Sequence, residues 1–191
     1  MRSTKLLAWV CSATFATVVT VAGVVHARLA SFETAGGANE AQFSASGPGG
    51  LTIVGKSAGA VSVSEDGDNI TIVVALDGLD TGIARRNRHM HEKYLHTARY
   101  PDAVLVVPRA ELPLPRPGQH SVGTTTGKMT LHGRSAPVNV HFDVLNEGGV
   151  YQVSGWAPVN IKTFGIQVPR YYGITVKPDI RVDVMFSARN R

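Results

Sequence analysis

The residues most capable of chemistry lie close together, between positions 80 and 107. Three histidines, at positions 89, 91 and 96, and Glu92 fall within eight consecutive residues. Imidazole and carboxylate groups are common ligands of zinc and other transition metals. His91 and His96 are five residues apart, which separates them by about 140° around a helix, so they do not form the two-histidine zinc motif. His89, Glu92 and His96 lie closer to one helix face and are the candidate metal ligands. The competing interpretation is a solvated or hydrogen-bonded helix face.

Other kinds of catalysis have less support. The spacing of the Ser, His and Asp residues gives no geometry for a catalytic triad. Cys11 is the only cysteine and lies in an apolar N-terminal run. A chain from which that run is removed has no thiol, which excludes disulfides and cysteine-based catalysis or metal binding. The sequence therefore favours a protein without enzymatic activity or cofactor, and the alternative is a metal-dependent enzyme that uses His89, Glu92 and His96.

The same stretch carries a cluster of basic residues. They are Arg85, Arg86, Arg88, Lys93 and Arg99. One interpretation is an exposed, soluble helix face. The other is a basic rim that pairs with a diphosphate or carboxylate head group, although one helix cannot direct all five side chains to one spot. For Arg86 and His89 a structural role is a third interpretation, with Arg86 donating hydrogen bonds to loop carbonyls.

The overall charge excludes one class of partner. The formal net charge is +5, and it falls to +3 without Arg2 and Lys5 of the N-terminal run. Nucleic-acid binding calls for a dense basic stripe with stacking aromatic residues, and this excess is too small and too scattered. It is compatible with a patch for a single anionic head group.

The elements that must position these residues are mostly strands. Apolar and polar residues alternate in "NITIVVAL" (69–76), "PVNVHFDVL" (137–145) and "DIRVDVMF" (179–186). A period of two predicts half-buried strands with one solvent-exposed face. Weaker candidates bring the total to about eight strands, and short turn sequences such as "NEGG" make neighbouring strands antiparallel. The sequence predicts an all-β fold, either a closed antiparallel barrel or a sandwich.

Three segments depart from this alternation. Residues 84–98 contain no Gly or Pro and are predicted to form the one inserted helix, which Tyr100 and Pro101 would end. We expect it to lie across a barrel mouth or between strands. "ETAGGANE" (33–40) is predicted to be a flexible lead-in, and "ELPLPRPGQH" (111–120) a long exposed connection.

The N-terminus is predicted to be an export signal. Arg2 and Lys5 precede an uncharged run from Leu6 to Val25, and Val25-His26-Ala27 offers a cleavage site. This predicts a signal peptide at residues 1–27 and a domain at 31–191 that is periplasmic or secreted. The alternative is an uncleaved segment that anchors the protein to the inner membrane, since 20 apolar residues can span a bilayer.

Three motifs in order resemble the YceI-like family of periplasmic isoprenoid-binding proteins, over most of the chain after Phe43. The helix resembles the family's Arg-Asp-x-His-hydrophobic signature, except that Asn87 stands where the family usually has Asp. "MTLHGRSAPV" is similar to the family's Leu-x-x-x-Gly and Pro-Val strand. The remaining matches are Arg86, His89, Met90, Tyr100 and Pro101, and the Phe-Gly-Ile corner at Phe164, Gly165 and Ile166.

The resemblance implies an eight-stranded antiparallel lipocalin-like barrel with one inserted helix. Its apolar tunnel would hold a long-chain amphiphile such as a polyisoprenoid, a quinone or a fatty-acid-like lipid. The protein would be a carrier or a stress-response protein, would contact membrane surfaces transiently, and could form a homodimer. Periodicity alone does not distinguish a tunnel from a filled core. The candidate ligand-binding residues are Ile70, Ile72, Val74, Leu76, Arg86, His89, Met90, Tyr94, Val138, Val140, Phe142, Phe164 and Phe186.

Overall fold

The computed structural model describes residues 32–171 and 173–190. The predicted signal at residues 1–27 lies outside these ranges. Strands dominate the described residues, with one short helix between β4 and β5. The elements are β1 Phe32–Ser46, β2 Thr52–Ala58, β3 Val61–Glu65, β4 Asn69–Ala75, α1 Ala84–His89, a π-helical segment Met90–Leu95, β5 Asp102–Pro108, β6 His120–Leu131, β7 Arg134–Glu147, β8 Val150–Asn160, β9 Arg170–Tyr171, β10 Ile174–Thr175 and β11 Asp179–Asn190, with 3-10 turns at Pro48–Gly50 and Arg109–Glu111.

The main sheet closes on itself. Its strands follow the order β11-β8-β7-β6-β5-β4-β3-β1-β2, and β1 also pairs with β11. β2 and β3 both pair with β1, at Glu40–Ser46 and at Glu33 respectively, so together they occupy one position around the barrel. All the pairings are antiparallel. The predicted all-β, eight-stranded antiparallel barrel with one inserted helix is confirmed.

The second edge of β2 is held differently from the other strand edges. Within the described ranges it pairs only through an isolated bridge between Lys56 and Asp80. Two backbone hydrogen bonds form this bridge, from Lys56 N to Asp80 O (2.9 Å) and from Asp80 N to Lys56 O (2.8 Å). Asp80 belongs to the loop that leads into α1, so this bridge links β2 to the start of the helix.

Residues 33–40 were predicted to be a flexible lead-in, and this is wrong, because they lie within β1. Their pairing with β11 shifts register between Thr34 and Asn39. A bulge of this kind accommodates glycine, and Gly37 has a φ of +135°. The Asn39 side chain bonds both the N–H and the carbonyl of Val61 at 2.7 Å, which ties the bulged strand to β3.

Two apolar clusters lie at opposite ends of the barrel. The closed-end core consists of Phe32, Ala41, Val61, Val63, Ile70, Phe142, Val144, Tyr151, Phe186 and Ala188. The helix-end cluster consists of Leu76, Leu79, Met90, Met129, Leu131, Val138, Val140, Ala157, Val159, Ile161, Phe164 and Ile166. α1 and the π-helical segment therefore belong to one end of the barrel.

The proline-rich connection at 111–120 is less exposed than predicted. Leu112 and Leu114 pack against the closed-end core. Pro115 is buried, and its carbonyl accepts a hydrogen bond of 2.9 Å from Nδ2 of Asn146, a side chain with only 2% of its surface exposed. These contacts place the connection over the closed end, because its apolar side chains complete a core that the strands leave open.

The helix is shorter than predicted. It continues from α1 into the π-helical segment and ends at His96, which is left-handed with φ +49°. A left-handed residue cannot continue a right-handed helix, so the helix stops before Tyr100 and Pro101. No helix in the described part of the chain is long and apolar enough to cross a bilayer.

The inward and outward faces of β7 provide a test of the register. Val140 is buried, with 9% exposed, and Asn139 is exposed, as the alternation predicts. We expect Asn139→Arg to leave the fold and its thermal stability nearly unchanged. Val140→Arg places a charge inside the barrel and should cost several kcal/mol of stability. Circular dichroism melting curves of the two variants measure this difference, and equal curves would contradict the register.

Candidate ligand-binding cavity

A cavity of about 670 Å³ lies at the helix end of the barrel. Such a volume falls within the range of small-molecule sites, roughly 300–1,000 Å³. Protein interiors are otherwise close-packed, with few voids larger than a water molecule. The cavity is therefore a candidate ligand site and is not a packing defect.

Small side chains leave this volume unfilled. Ala41 and Ala45 of β1, Ala103 of β5 and Ala157 of β8 all line the cavity. Ala41 also borders the closed-end core, where Phe32, Phe142, Tyr151 and Phe186 pack together. The small alanine side chains on this part of the wall contribute to the unfilled space.

Eight of the thirteen predicted ligand-binding residues line the cavity, and most of them come from the region of strand β4 and the helix. Those lining it are Ile72, Val74, Leu76, Arg86, His89, Met90, Tyr94 and Val140. The other five predicted residues do not. The structure places Ile70, Phe142 and Phe186 in the closed-end core and Val138 and Phe164 in the helix-end cluster.

For Ile70, Phe142 and Phe186 the reason is their position along the barrel axis. A period of two identifies which side chains point inward, but not how far along the barrel axis each one lies. Ile70, for example, pairs with Val107 near the closed end, whereas Ile72 on the same face pairs with Leu105, and only Ile72 reaches the cavity.

Sequence reasoning missed other cavity residues. Leu51, Ile83, Arg170, Ile174 and Val176 line the cavity but lie outside the periodic segments. No pattern marks them, because they come from loops and very short strands. Only the folded structure brings them together at the cavity.

The arginines are the charged side chains that line the cavity. Arg85, Arg86 and Arg170 line it together with Gln42, Thr81 and His89, and no Asp or Glu of the described residues does. The remaining lining is almost entirely apolar. This arrangement suits a ligand with a long apolar part and a polar or anionic end.

Arg86 is held by the loop before the helix. Its Nε donates to Thr81 Oγ1 at 2.8 Å and its Nη2 donates to the Thr81 carbonyl at 2.6 Å. The structural interpretation of Arg86, as a donor to a loop carbonyl, is confirmed by this contact. Arg85 and Arg170 remain the better candidates for contact with a ligand head group.

The histidines are directed to separate places. His89 lines the cavity, and Nε2 of His91 donates to the Leu79 carbonyl at 2.9 Å. His96 Nδ1 lies 3.2 Å from Nε2 of His132, a partner that the sequence did not indicate. Among the described residues, no group of three or more His, Cys, Asp or Glu side chains could hold a metal ion. His89, Glu92 and His96 therefore do not form the metal site that the alternative function requires.

A serine nucleophile also lacks support. Residues 55–59 read Gly-Lys-Ser-Ala-Gly, which matches the Gly-x-Ser-x-Gly pattern of α/β-hydrolases. That pattern requires a sharp turn from a strand into a helix, with the serine exposed at its top. Here Ser57 lies within β2, which continues towards β3, and only 4% of its surface is exposed.

Comparison with known protein families decides the relationship. The family model for the YceI-like domain matches residues 15–188. The chain belongs to the YceI-like family. The match begins inside the predicted signal, so it does not locate a cleavage site.

Solved structures agree with this fold. A polyisoprenoid-binding domain from Saccharophagus degradans, implicated in plant cell wall breakdown, has a TM-score of 0.67 and 16% identity, covering 85% of this chain and 100% of that chain. BcnA from Burkholderia cenocepacia has a TM-score of 0.58 and 18% identity, covering 77% and 95%. No match to this chain was found among curated proteins.

Asn87 is where this YceI-like chain departs from the family's helix signature, and the structure gives a reason. Its Oδ1 accepts hydrogen bonds from the Thr81 N–H (2.9 Å) and hydroxyl (2.6 Å), while its Nδ2 donates to Asp80 Oδ1 at 2.6 Å. An aspartate could accept the first two bonds but could not donate the third. An amide at position 87 is therefore matched to a carboxylate at position 80.

Two hydrogen bonds hold the pKa of Asp80 below its usual value of 3.8. The larger effect comes from the Asn87 side chain and the smaller from the Gly82 N–H. We expect Asn87→Ala to raise this pKa towards 3.8. The folded pKa lies below the unfolded one, so these bonds stabilise the fold above pH 3.8, and their contribution is lost as the pH falls through the folded pKa. An NMR titration of the Asp80 carboxyl group, in the wild type and in Asn87→Ala, measures the shift. An unchanged pKa in the variant would contradict the assigned contact.

Proposed function

We propose that this YceI-like protein binds a long-chain apolar amphiphile in the helix-end cavity. The observation that carries the proposal is an apolar cavity of about 670 Å³ with arginines on its rim. The apolar tail lies inside the barrel, and the head group lies at the opening. The polyisoprenoid binding described for the Saccharophagus degradans domain supports a chain-like ligand.

The size and apolar lining of the cavity determine how long an apolar tail it can hold. At about 30 Å³ for each water-sized group, it has room for roughly twenty methylene groups. Each buried methylene contributes about 0.8 kcal/mol of transfer free energy, so tight binding requires few polar contacts. Isoprenoid, quinone and fatty-acid-like chains all meet this requirement, and chain length is a stronger determinant of affinity than the head group.

The head group is expected to contact Arg85 and Arg170. Arg86 already donates two hydrogen bonds to Thr81, from Nε and Nη2. For Arg170, the Nε atom donates to Thr175 Oγ1 at 3.2 Å. An anionic or strongly polar head group benefits from charge-assisted hydrogen bonds to guanidinium groups. The protein acts by holding its ligand and not by transforming it, and no group of three or more His, Cys, Asp or Glu side chains in the described ranges favours a metal-dependent enzyme.

The first test is lipid content. We expect protein purified without detergent to show, by native mass spectrometry, a mass excess that organic solvent extracts as a chain-like lipid. Ala103→Phe should remove most of this excess, because the added ring occupies the cavity that Ala103 lines. Ala110→Phe is the matched control, since Ala110 is exposed in the turn Arg109–Glu111. A ligand-free mass for the wild type would contradict the proposal.

We also propose that the protein acts outside the cytoplasm, as an exported carrier. The support is the sequence of residues 1–27, with its basic start and uncharged run. A carrier of apolar chains is most useful in an aqueous compartment between membranes, where such chains are insoluble.

Export is tested by N-terminal sequencing of protein from the cell envelope. We expect the mature chain to begin at Arg28, because cleavage follows Val25-His26-Ala27. Met1 retained in the membrane pellet would instead show that the apolar run is an anchor.

A further inference from the structure

The cavity opening is bordered by exposed apolar side chains. Among the described residues, five large apolar side chains are exposed. Leu51, Ile83 and Ile174, with 37%, 52% and 43% of their surface exposed, also line the cavity. The other two, Val122 and Met185, lie on the outer wall, on β6 and β11.

The three rim residues come from separate parts of the chain. Leu51 precedes β2, Ile83 precedes α1, and Ile174 begins β10. Scattered exposed apolar residues are ordinary in proteins, but an apolar surface gathered at one place marks an interaction site. Here the fold brings three distant segments together at the cavity opening, so the exposed apolar surface is concentrated there.

Cationic groups share this rim. Arg85 and Arg170 line the cavity beside the apolar side chains, and no acidic residue of the described chain lines it. The Arg85 side chain makes no hydrogen bond or ion pair with another described residue. Apolar side chains beside cations are the composition of surfaces that bind at the interface of an anionic membrane, where apolar groups insert and cations meet phosphates.

We propose that the rim formed by Leu51, Ile83, Arg85, Arg170 and Ile174 docks on the surface of a bilayer that contains anionic lipids. This inference rests on the proposed function, because docking lets the amphiphile pass between bilayer and cavity without exposing its tail to water. A second copy of the chain fits the rim less well. Two rims facing each other would bring their arginines together, and like charges at an interface repel.

Vesicle binding tests the docking surface. The probes are vesicles of phosphatidylcholine alone and of phosphatidylcholine with phosphatidylglycerol, and the readout is co-sedimentation of the full chain. We expect the wild type to bind the anionic vesicles, and Ile83→Glu and Ile174→Glu each to weaken that binding by about tenfold. Val122→Glu and Met185→Glu are matched controls, because they place the same charge at exposed apolar positions away from the cavity. They should retain wild-type binding.

A charge reversal separates the rim from general basicity. Arg85→Glu should weaken binding to anionic vesicles by several-fold, whereas Lys128→Glu, at an exposed position on β6, should not. Equal losses for Arg85→Glu and Lys128→Glu, or for Ile83→Glu and Val122→Glu, would overturn the proposal. So would a wild type that ignores both kinds of vesicle.

The lipid content of the same preparations keeps the two proposals distinguishable. A wild type that carries extractable lipid but binds no vesicles contradicts the docking surface and leaves the lipid-binding function standing. A wild type that binds anionic vesicles through this rim but carries no lipid supports docking and contradicts the proposed function.

Discussion

Closure of the sheet by the pairing of β1 with β11 is the constraint on which the rest of this structure depends. In a closed barrel the inward side chains of all strands share one enclosed volume, so their sizes decide where it is filled. Phenylalanine and tyrosine side chains pack in the closed-end core, and several alanines line the cavity at the helix end. Small residues on the cavity lining thus contribute unfilled space to an otherwise packed barrel.

The helix end depends on polar contacts as much as on apolar packing. Thr81 accepts both hydrogen bonds of Arg86 and bonds to the Asn87 side chain, and His91 bonds to the carbonyl of Leu79. These contacts fix the short helix over the barrel, and they use polar groups that could otherwise have met a ligand. The cavity lining is therefore mainly apolar, with the exposed Arg85 and Arg170 among its polar groups.

Alternation in the sequence predicted the strands and their inward faces, but it could not predict position along the barrel axis. Ile70 and Ile72 share one face of β4, yet only Ile72 reaches the cavity, because non-local pairing sets the register. Composition was misleading at residues 33–40, where glycines mark a bulge inside a paired strand. Ile83 and Ile174 belong to no periodic segment, so only the folded structure reveals that they meet at one opening.

The single bridge between Lys56 and Asp80 makes the barrel wall unequal around its circumference. Most of the other strand pairs are joined by ladders of several residues, the single pairing of β1 with β3 being an exception, whereas two hydrogen bonds join β2 to the chain before the helix. Parting the wall at this seam breaks two bonds, and parting it along a ladder such as that of β6 and β7 breaks many more. The seam leads into α1 at the hollow end, so the wall there resists widening less than it does along a long ladder.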